Sequence, residues 1–376
     1  MIALFISIFY FFYFALVAIY IVFLPKMFSI SGYDASHIGA LFAAAPAMRF
    51  ILPFIFRQFG GLNHTLFNLA LVVLFTSSAL FIPALQNFYA LFALNLVYGA
   101  AMGMILPYVD TIALHYIEKE RYGKVRLWGS IGFMLMALWL GKVLQTVEQS
   151  LLYFTLAALA TMLSGWYIGR YENSSSMAAK SPQKSGKGES FSISRYWAFW
   201  LATFLLQVSF GAFYNFFTIY ETAHGISLEM SSWLWSFGVI CEIVMLYFQG
   251  PLLRRNLLSI IEFATFATAL RWFALWYYPD SLPVAFLSQS LHAVSFALYY
   301  SAAISYIYGL YREKKLAQQF FLGISFGLGG SVGALSAGWF YEVDAKNLFL
   351  YQALIALMAW YMMRVHSERR REYESI

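Results

Sequence analysis

The chain has 376 residues, of which 61% are hydrophobic and 11% are charged, whereas a soluble protein carries roughly a quarter of charged residues. This composition indicates a polytopic helical membrane protein and excludes a soluble globular domain. An outer-membrane barrel is excluded as well, because no stretch alternates between apolar and polar residues. The single cysteine, Cys241, excludes a disulfide framework and a cysteine-based zinc site.

The first apolar run, from Ile2 to Leu24, has no basic segment before it and no small-residue cleavage site after it. It is too long for the apolar region of a signal peptide, so we interpret it as a retained transmembrane helix. Runs of about 20 apolar residues, the length that crosses a bilayer, recur along the chain. They predict twelve helices, at 3–25, 36–56, 65–84, 88–116, 125–146, 150–170, 196–222, 230–250, 256–278, 282–310, 316–340 and 346–365.

One polar segment interrupts the apolar runs. Residues 171–195 contain the stretches NSSS and KSPQKSGKGES and no apolar run, which is typical of a disordered linker. The segment divides the chain into an N-terminal six-helix domain at 1–170, a cytoplasmic linker at 171–195 and a C-terminal six-helix domain at 196–376. The last domain ends in a short basic tail.

Lysine and arginine are distributed unevenly between the predicted loops. With the N-terminus inside, the outer loops contain Lys26, Lys142 and Lys346, and the other loop lysines and arginines fall on the cytoplasmic side. Cytoplasmic loops of membrane proteins carry such an excess, so both termini are predicted to be cytoplasmic. The net charge of +6 is therefore a signal of topology, and no nucleic-acid partner is predicted.

The order of six helices, a polar loop and six helices is accompanied by a set of short motifs. The connection between predicted helices 4 and 5 reads YGKVRLWGSIGF at 122–133, and the others are FLP at 23–25, IGALF at 38–42, PYVD ending at 110, LLQ ending at 207, WSFGVICE ending at 242, LRW at 270–272 and LH ending at 292. With these motifs the chain resembles the major facilitator superfamily, in the branch of lactose permease and bacterial 3-phenylpropionate permease. The resemblance implies two six-helix bundles, alternating access, and a proton symporter in the bacterial inner membrane.

The chain departs from the family pattern at two places. The loop between predicted helices 2 and 3 reads RQFGGLNH at 57–64 and lacks the aspartate that the family usually carries there. Lactose permease has a carboxylate three residues after the histidine of helix 10, and this chain has Ser295 at that position. A proton that this chain carries must therefore use another group.

Three ionisable residues fall inside apolar runs at similar depths: Glu242, Arg271 and His292, on predicted helices 8, 9 and 10. A charge inside a membrane is unfavourable unless it is paired or faces a watery cavity, and it commonly marks a transport pathway. The resemblance implies that these positions join substrate binding to proton translocation, and we predict Glu242 as the proton carrier. A purely structural Glu242–Arg271 pair, capped by His292, is the alternative.

In the N-terminal half, Asp110 and Arg126 lie on either side of the turn between predicted helices 4 and 5, and the matching residues of lactose permease bind substrate. Arg126 lies near the predicted membrane boundary, so extension of its side chain to the interface is the alternative. Arg49 falls in the middle of predicted helix 2, where a buried, unpaired guanidinium favours an anionic ligand. A structural Arg49–Asp110 pair is the alternative there.

Polar residues follow one face of predicted helix 7 and one face of predicted helix 10. Gln207, Tyr214 and Tyr299 lie on these faces and are predicted to bind substrate, together with Asp110 and Arg126 and Arg49. Polar packing between helices produces the same pattern. Glu221, near the outer end of predicted helix 7, is predicted to be solvated.

No nucleotide-binding loop, zincin motif or serine-hydrolase motif is present in the sequence, so we predict that the chain is not an enzyme and that it holds no cofactor or metal. The predicted function is proton-coupled import of a small organic solute, with an aromatic or other small carboxylate favoured. A sugar or nucleoside symporter and a proton-driven efflux pump are alternatives, and a membrane sensor or scaffold is an alternative from another class. The predicted partners are the solute, protons and the bilayer, and the predicted state is a monomer.

Overall fold

A chain with so many apolar runs must form helices, because a bilayer offers backbone N–H and C=O groups no hydrogen-bond partner outside the segment itself. The computed structural model describes residues 2–58, 62–170 and 188–374, without the side chains of 53, 54, 56–58, 119, 120 and 372–374. Throughout these ranges the regular elements are helices, apart from one isolated bridge between Glu189 and Tyr311.

Six helices precede the predicted linker. They are α1 Ile2–Ile30, α2 Ala35–Gln58, α3 His64–Ala84, α4 Phe88–Tyr116, α5 Lys119–Val143 and α6 Val147–Gly169. α3, α4 and α6 begin after Asn63, Asn87 and Thr146, whose side chains accept a hydrogen bond from a backbone N–H of the first turn. These residues are the types that stabilise the start of a helix in this way.

Six helices follow the predicted linker. They are α7 Trp197–Ala223, α8 Leu228–Phe248, α9 Leu257–Tyr277, α10 Leu282–Leu310, α11 at 314–344 and α12 Leu348–Glu374. α7 consists of two halves that meet at Phe210. α10 and α11 each contain a π-helical segment, at Ala293–Leu298 and Leu322–Gly329, and such segments are frequent at functional sites.

The prediction of an all-helical fold with twelve helices is confirmed for the described residues. Ten helical stretches among those residues are long and apolar enough to cross a membrane, and one of them, Lys314–Arg371, covers α11 and most of α12. The remaining helix is α5, which is less apolar because it carries Arg126 and Lys142. The observed helices overlap every one of the twelve predicted ranges.

The chain divides into two compact units. Unit 1 comprises Met1–Ser181 and Ser227–Ser236, and unit 2 comprises Pro182–Ile226 and Phe237–Ile376. The first turns of α8 therefore cluster with unit 1 and the rest of that helix with unit 2. Residues 171–187 of the predicted linker lie outside the described part of the chain, and the predicted domain boundaries stay a prediction.

Close approach and buried hydrogen bonds hold the helices of unit 1 together. α1 crosses α5 at Gly132, where a Cβ atom would lie 2.1 Å from the backbone oxygen of Phe11. The hydroxyl of Tyr20 on α1 donates to the side-chain oxygen of Asn95 on α4 at 2.8 Å, and Asn95 is fully buried. Small residues at the crossing and polar groups paired in an apolar interior are the usual means of fixing transmembrane helices against each other.

α7 and α11 cross in unit 2 at Gly211 and Gly333. A Cβ atom on Gly211 would lie 2.0 Å from the backbone oxygen of Gly333, so this crossing requires glycine. Gly211 is also the first residue of the second half of α7, Gly211–Ala223. The crossing therefore fixes the point at which this half-helix joins the rest of unit 2. The half-helix carries Phe213, Tyr214 and Glu221.

The end of the predicted linker packs against unit 2. The backbone N–H of Glu189 donates to the carbonyl of Leu310 at 2.8 Å, and the N–H of Arg312 donates to the carbonyl of Glu189 at 2.9 Å. The carboxylate of Glu189 lies 2.8 Å from Arg195 and 3.2 Å from Arg370. Burial opposes the ionisation of this carboxyl, but its hydrogen bonds and the two arginines outweigh burial, so the pKa of Glu189 lies below its usual range. Residues 188–195, predicted to be disordered, are instead anchored to the ends of α10 and α12.

Candidate substrate and proton sites

Arg271 on α9 is a charged residue with no exposed surface. Its guanidinium donates to neutral acceptors on α10, which are Ser288 Oγ at 3.3 Å, Gln289 Oε1 at 3.2 Å, His292 Nδ1 at 3.0 Å and Ser295 Oγ at 3.2 Å. A buried charge is tolerated when hydrogen bonds replace its water. This network of neutral acceptors makes Arg271 a fixed positive charge in unit 2.

Aromatic rings complete the surroundings of Arg271. The guanidinium carbon lies 4.4 Å from the ring centroid of Phe213 and 4.4 Å from that of Trp272. A cation over an aromatic face is stabilised by the ring electrons, more so when water is excluded. Phe213 belongs to the second half of α7, so that half-helix covers the charge of α9 directly.

His292 lies between the arginine and the glutamate that the sequence placed in one cluster. A guanidinium has only donors, so His292 Nδ1 must accept the hydrogen bond from Arg271, and the proton of the neutral imidazole is then on Nε2. Nε2 lies 3.8 Å from Glu242 Oε2. The three residues therefore form a chain, Arg271 to His292 to Glu242, in which His292 is the middle member and not a cap on an Arg–Glu pair.

Glu242 is the accessible end of this chain. Its side chain is 25% exposed, whereas that of His292 is 9% exposed and Arg271 is fully buried. The separation of 3.8 Å is too long for a hydrogen bond, so the contact is electrostatic in this conformation. A small approach of the two groups would let the imidazole N–H donate to an ionised Glu242, which is a suitable arrangement for a carboxyl that gains and loses a proton.

The π-helical segment of α10 begins directly after His292, at Ala293. It contains Ser295, the residue that stands where lactose permease has a carboxylate. Ser295 is buried and accepts a hydrogen bond from Arg271. Arg271 therefore meets a neutral acceptor at this position, and Glu242 is the acidic member of the Arg271–His292–Glu242 chain.

The other predicted residues of unit 2 have different surroundings. Tyr214 is partly exposed, stacks on Phe210 with a centroid separation of 5.7 Å and interacts electrostatically with Arg271. Gln207 and Tyr299 are 3% and 1% exposed, and within the described ranges their Nε2 and hydroxyl groups have no hydrogen-bond partner. Tyr214 therefore lies beside the Arg271 network, while Gln207 and Tyr299 are enclosed in the interior of unit 2.

In unit 1, Asp110 accepts hydrogen bonds from two tyrosines of other helices. Tyr10 of α1 donates to Asp110 Oδ1 at 2.5 Å, and Tyr122 of α5 donates to the same oxygen at 3.3 Å. Asp110 follows Pro107, which lies inside α4 and leaves a backbone carbonyl without its helical donor. The carboxylate is held where α1, α4 and α5 meet.

Arg126 lies next to this carboxylate group but forms no ion pair with it. Its guanidinium carbon is 4.7 Å from the ring centroid of Tyr10 and 4.7 Å from that of Phe14. Its Nη1 atom is buried and has no acceptor among the described residues. Arg126 and Asp110 therefore share Tyr10 as a neighbour. The Nη1 atom of Arg126 is a hydrogen-bond donor that no described protein group accepts from.

Arg49 was predicted to be buried, and this prediction is wrong: the residue is exposed. In the part of the chain that the structure describes, no hydrogen bond or ion pair of Arg49 is seen, so the alternative of a structural pair with Asp110 is not observed either. Its charge acts on the hydroxyl groups of Tyr13, Tyr20 and Tyr98. Arg126 also acts on Tyr13, so both arginines approach the same region of unit 1.

The contribution of α1 to this site was not predicted from the sequence. Tyr10, Tyr13 and Phe14 were treated as part of an apolar span, yet they contact or approach Asp110, Arg126 and Arg49. Their spacing of three and four residues places them on one face of a helix, and phenolic hydroxyls on one face of a transmembrane helix are a signal that could have identified them. Glu221, predicted to be solvated, is fully buried. Other helices bury Glu221, and the residues of its own segment do not indicate this burial.

The chain is similar to known transporters over most of its length. The profile of the MFS_1 like family matches residues 3–352. A relative from Escherichia coli (strain K12), "Probable 3-phenylpropionic acid transporter", is 27% identical over 265 residues, which are 69% of this chain and 69% of that protein. The uncharacterized transporter YwbF of Bacillus subtilis (strain 168) is 24% identical over 267 residues, 69% of this chain and 64% of that protein.

Among solved structures, the nucleoside transporter NupG superposes with a TM-score of 0.79 at 17% sequence identity, over 97% of this chain and 98% of that one. At this level of identity the likeness shows the fold alone. The relatives by sequence are transporters and not enzymes. Together with the apolar helices, these relatives indicate that the chain is a multi-pass membrane protein with a small-molecule substrate.

Proposed function

The chain belongs to the MFS_1 like family of membrane transporters, and on this premise we propose that it is a proton-coupled symporter that imports a small organic anion by alternating access. An aromatic or other small carboxylate is the proposed substrate class. One observation carries this choice: unit 1 presents two guanidinium groups, Arg49 and Arg126, for which no ion pair exists within the described residues.

Two positive charges without a carboxylate partner favour a ligand that brings its own negative charge. A guanidinium binds a carboxylate through two parallel hydrogen bonds, which gives both strength and orientation. The rings of Tyr10 and Phe14 lie against Arg126 and offer flat apolar surface beside the charge. The name of the Escherichia coli relative, a 3-phenylpropionic acid transporter, supports an aryl carboxylate for this chain as well.

The Arg271–His292–Glu242 chain supports proton coupling. We assign proton binding to Glu242, because it is the partly exposed carboxyl of the chain, and the stabilisation of its ionised form to the Nε2–H of His292. Arg271 holds His292 in the tautomer that this requires. Glu242 takes up a proton from the outside and releases it to the cytoplasm, and the substrate crosses in the same cycle.

A carboxylate that moves with one proton carries no net charge across the membrane. Uptake should then respond to a pH gradient and not to membrane potential. A pH difference of one unit sustains about tenfold accumulation of such a solute, since one unit corresponds to about 1.4 kcal/mol. This tenfold accumulation is the wild-type reference for variants that lose proton coupling.

A second candidate substrate class is a sugar or nucleoside, and Asp110 is the observation that favours it. A carboxylate among tyrosine hydroxyls is suited to accept hydrogen bonds from the hydroxyl groups of a neutral solute. Such a solute would leave the two guanidinium groups of unit 1 without a counter-charge, so we rank it second.

The proposed location is the bacterial inner membrane, with both termini in the cytoplasm and the protein as a monomer. The support is the excess of lysine and arginine in one set of loops. In this orientation the connections α7–α8 and α9–α10 face the outside. The proposed domains are the six-helix segments 1–170 and 196–376, joined by the cytoplasmic segment 171–195.

The proposal is tested with purified protein in liposomes that contain a pH-sensitive dye. Aromatic carboxylates, nucleosides and sugars are added one at a time, and proton entry with one class identifies the substrate. Arg49→Gln should weaken binding of the carboxylate roughly tenfold to hundredfold, the loss of one charge-assisted contact, whereas R121Q, at the exposed Arg121 of α5, should bind normally. Glu242→Gln should abolish proton entry.

Three results would overturn parts of this assignment. Proton entry with nucleosides or sugars, and with no carboxylate, would replace the substrate class. Protons that move against the direction of the solute would replace import by efflux. An E242Q protein that still accumulates substrate against a gradient would remove Glu242 as the proton carrier.

A further inference from the structure

Glu221 is a membrane carboxyl that the mechanism above does not use. It lies in the second half of α7, Gly211–Ala223, and has no exposed surface. Neither of its carboxylate oxygens has a hydrogen-bond partner in the described part of the chain. An ionised carboxylate needs water, donors or a positive partner to offset the loss of its hydration. The described residues give Glu221 neither a donor nor a positive partner, and its side chain has no exposed surface, so these surroundings accept the protonated carboxyl far better than the ionised one.

Aromatic rings lie beside Glu221 at the end of the half-helix. The ring of Tyr220, the residue before Glu221, is tilted against that of His224 with centroids 4.2 Å apart, and it meets the ring of Phe349 of α12 edge to face at 4.8 Å. The titratable or charged groups on the elements packed there are His224 and Tyr220 of α7 itself, Asp280 of the α9–α10 connection, Tyr341, Glu342 and Asp344 of α11, Lys346 after it, and Tyr351 of α12.

Asp280 is the charged group of this set that acts electrostatically on Glu221. It is exposed, on the connection between α9 and α10, so it faces the same solution as the α7–α8 connection. Asp344 is engaged elsewhere, by Asn347 at 2.7 Å and Tyr351 at 2.9 Å. An exposed carboxylate near a buried carboxyl offers a proton a route from solution, since the surface group attracts protons.

The half-helix that buries Glu221 also touches the Arg271–His292 pair. Phe213 lies 4.4 Å from the guanidinium of Arg271 and 5.4 Å from the imidazole of His292, measured to ring centroids. Glu221 is about 12 Å farther along the same half-helix, at 1.5 Å per residue. The half-helix begins at the Gly211–Gly333 crossing, next to the junction at Phe210. A rotation of this half-helix that exposes Glu221 would therefore also move Phe213 away from Arg271.

We propose that Glu221 is a second proton-binding site of the transport cycle, loaded from the side of the membrane on which Asp280 lies. This inference rests on the proposed function, because it presumes proton-coupled transport. A proton from the outer solution forms an O–H bond with the Glu221 carboxylate when the half-helix opens, and the bond breaks in a later opening with release of the proton to the cytoplasmic solution. Protonation permits the half-helix to close over the carboxyl, and closure returns Phe213 to Arg271.

The competing account is a carboxyl that is protonated at all times and serves only packing. Glu221→Gln separates the two accounts, because glutamine has the shape and neutrality of the protonated carboxyl. If Glu221 only packs, E221Q behaves as the wild type in every assay. If Glu221 must release its proton, E221Q keeps exchange of substrate for substrate, which needs no deprotonation, and loses accumulation driven by a pH gradient.

The experiment measures both activities in liposomes for the wild type, E221Q, E242Q and E148Q, the last an exposed control at the start of α6. With a gradient of one pH unit and no membrane potential, the wild type and E148Q should accumulate substrate about tenfold for one proton per substrate and up to about a hundredfold for two, and E221Q should not accumulate it, while exchange stays within about twofold of the wild type. Equal accumulation by E221Q and the wild type would overturn the inference. A wild type that moves no protons with any substrate would instead refute the proposed function.

A second measurement decides the matter if E221Q does not fold. A carbodiimide reacts with protonated carboxyl groups in apolar surroundings, and mass spectrometry of the wild type locates the modified residue. Modification of Glu221 should fall as the pH rises, because only the protonated carboxyl reacts. Substrate should change that dependence. Modification that is independent of both pH and substrate would show a permanently protonated residue and overturn the inference.

Discussion

Tyr10 and Tyr122 donate to the same oxygen of Asp110, at 2.5 Å and 3.3 Å, so their replacement by phenylalanine compares a short hydrogen bond with a long one. Y10F removes the hydroxyl and keeps the ring, whose centroid lies 4.7 Å from the guanidinium carbon of Arg126. The packing of α1 against Arg126 is therefore retained, and the measured effect belongs to the bond with Asp110.

The magnitudes follow from the two distances. A hydrogen bond to a charged acceptor contributes about 1.5–3 kcal/mol to stability, and 2.5 Å is at the short, strong end of the range for a hydroxyl on a carboxylate. We therefore expect Y10F to lower the free energy of unfolding by about 2 kcal/mol. The distance from Tyr122 to Asp110 exceeds the usual range for a hydroxyl donor, so Y122F should lower the free energy of unfolding by about 0.5 kcal/mol. For a unit of this size the corresponding changes in Tm are about 4–8 °C and about 1–2 °C.

The assay is thermal unfolding of both variants and the wild type in one detergent, followed by intrinsic fluorescence. Substrate affinity, measured on the same samples, reports whether Asp110 must be held by Tyr10 to serve a ligand. A Y122F protein that loses as much stability as Y10F, or a Y10F protein that unfolds with the wild type, would refute the description of Asp110 as a carboxylate held chiefly by α1.

Further expectations concern single residues of unit 2. Gly211→Ala should strongly reduce the yield of folded protein, because its Cβ would lie 2.0 Å from the Gly333 carbonyl oxygen, whereas Gly309→Ala, with nothing within 4 Å, should be neutral; size-exclusion profiles compare the two. Because the pKa of Glu189 is lowered from its ordinary value of 4.5 on folding, its contribution to stability should be complete above about pH 4.5 and be lost as the pH falls through the lowered value. The difference in Tm between the wild type and E189Q should therefore be present at neutral pH and vanish in acid. Arg271→Lys cannot reach all its acceptors on α10 with one ammonium group, so it should reduce both Tm and proton coupling, and unchanged coupling would contradict the tautomer assigned to His292.

The helices of this protein follow from its sequence because a bilayer imposes a local rule. A segment that crosses it must be apolar, about 20 residues long and internally hydrogen-bonded, so each of the twelve helices can be read from its own residues. The same rule singles out ionisable residues within those segments, and Arg271 and His292 were identified in that way before their contacts were known.

The partners of those residues depend on which helix faces meet, and no single segment contains that information. Tyr10 and Asp110 are 100 positions apart, and nothing in either segment shows that they touch. Tertiary structure likewise decided that His292 lies between Arg271 and Glu242, that Arg49 is exposed, and that Glu221, near the end of its helix, is covered by its neighbours. Helix length and polarity are properties of one segment, whereas burial and hydrogen-bond partners are properties of the packed assembly of all of them.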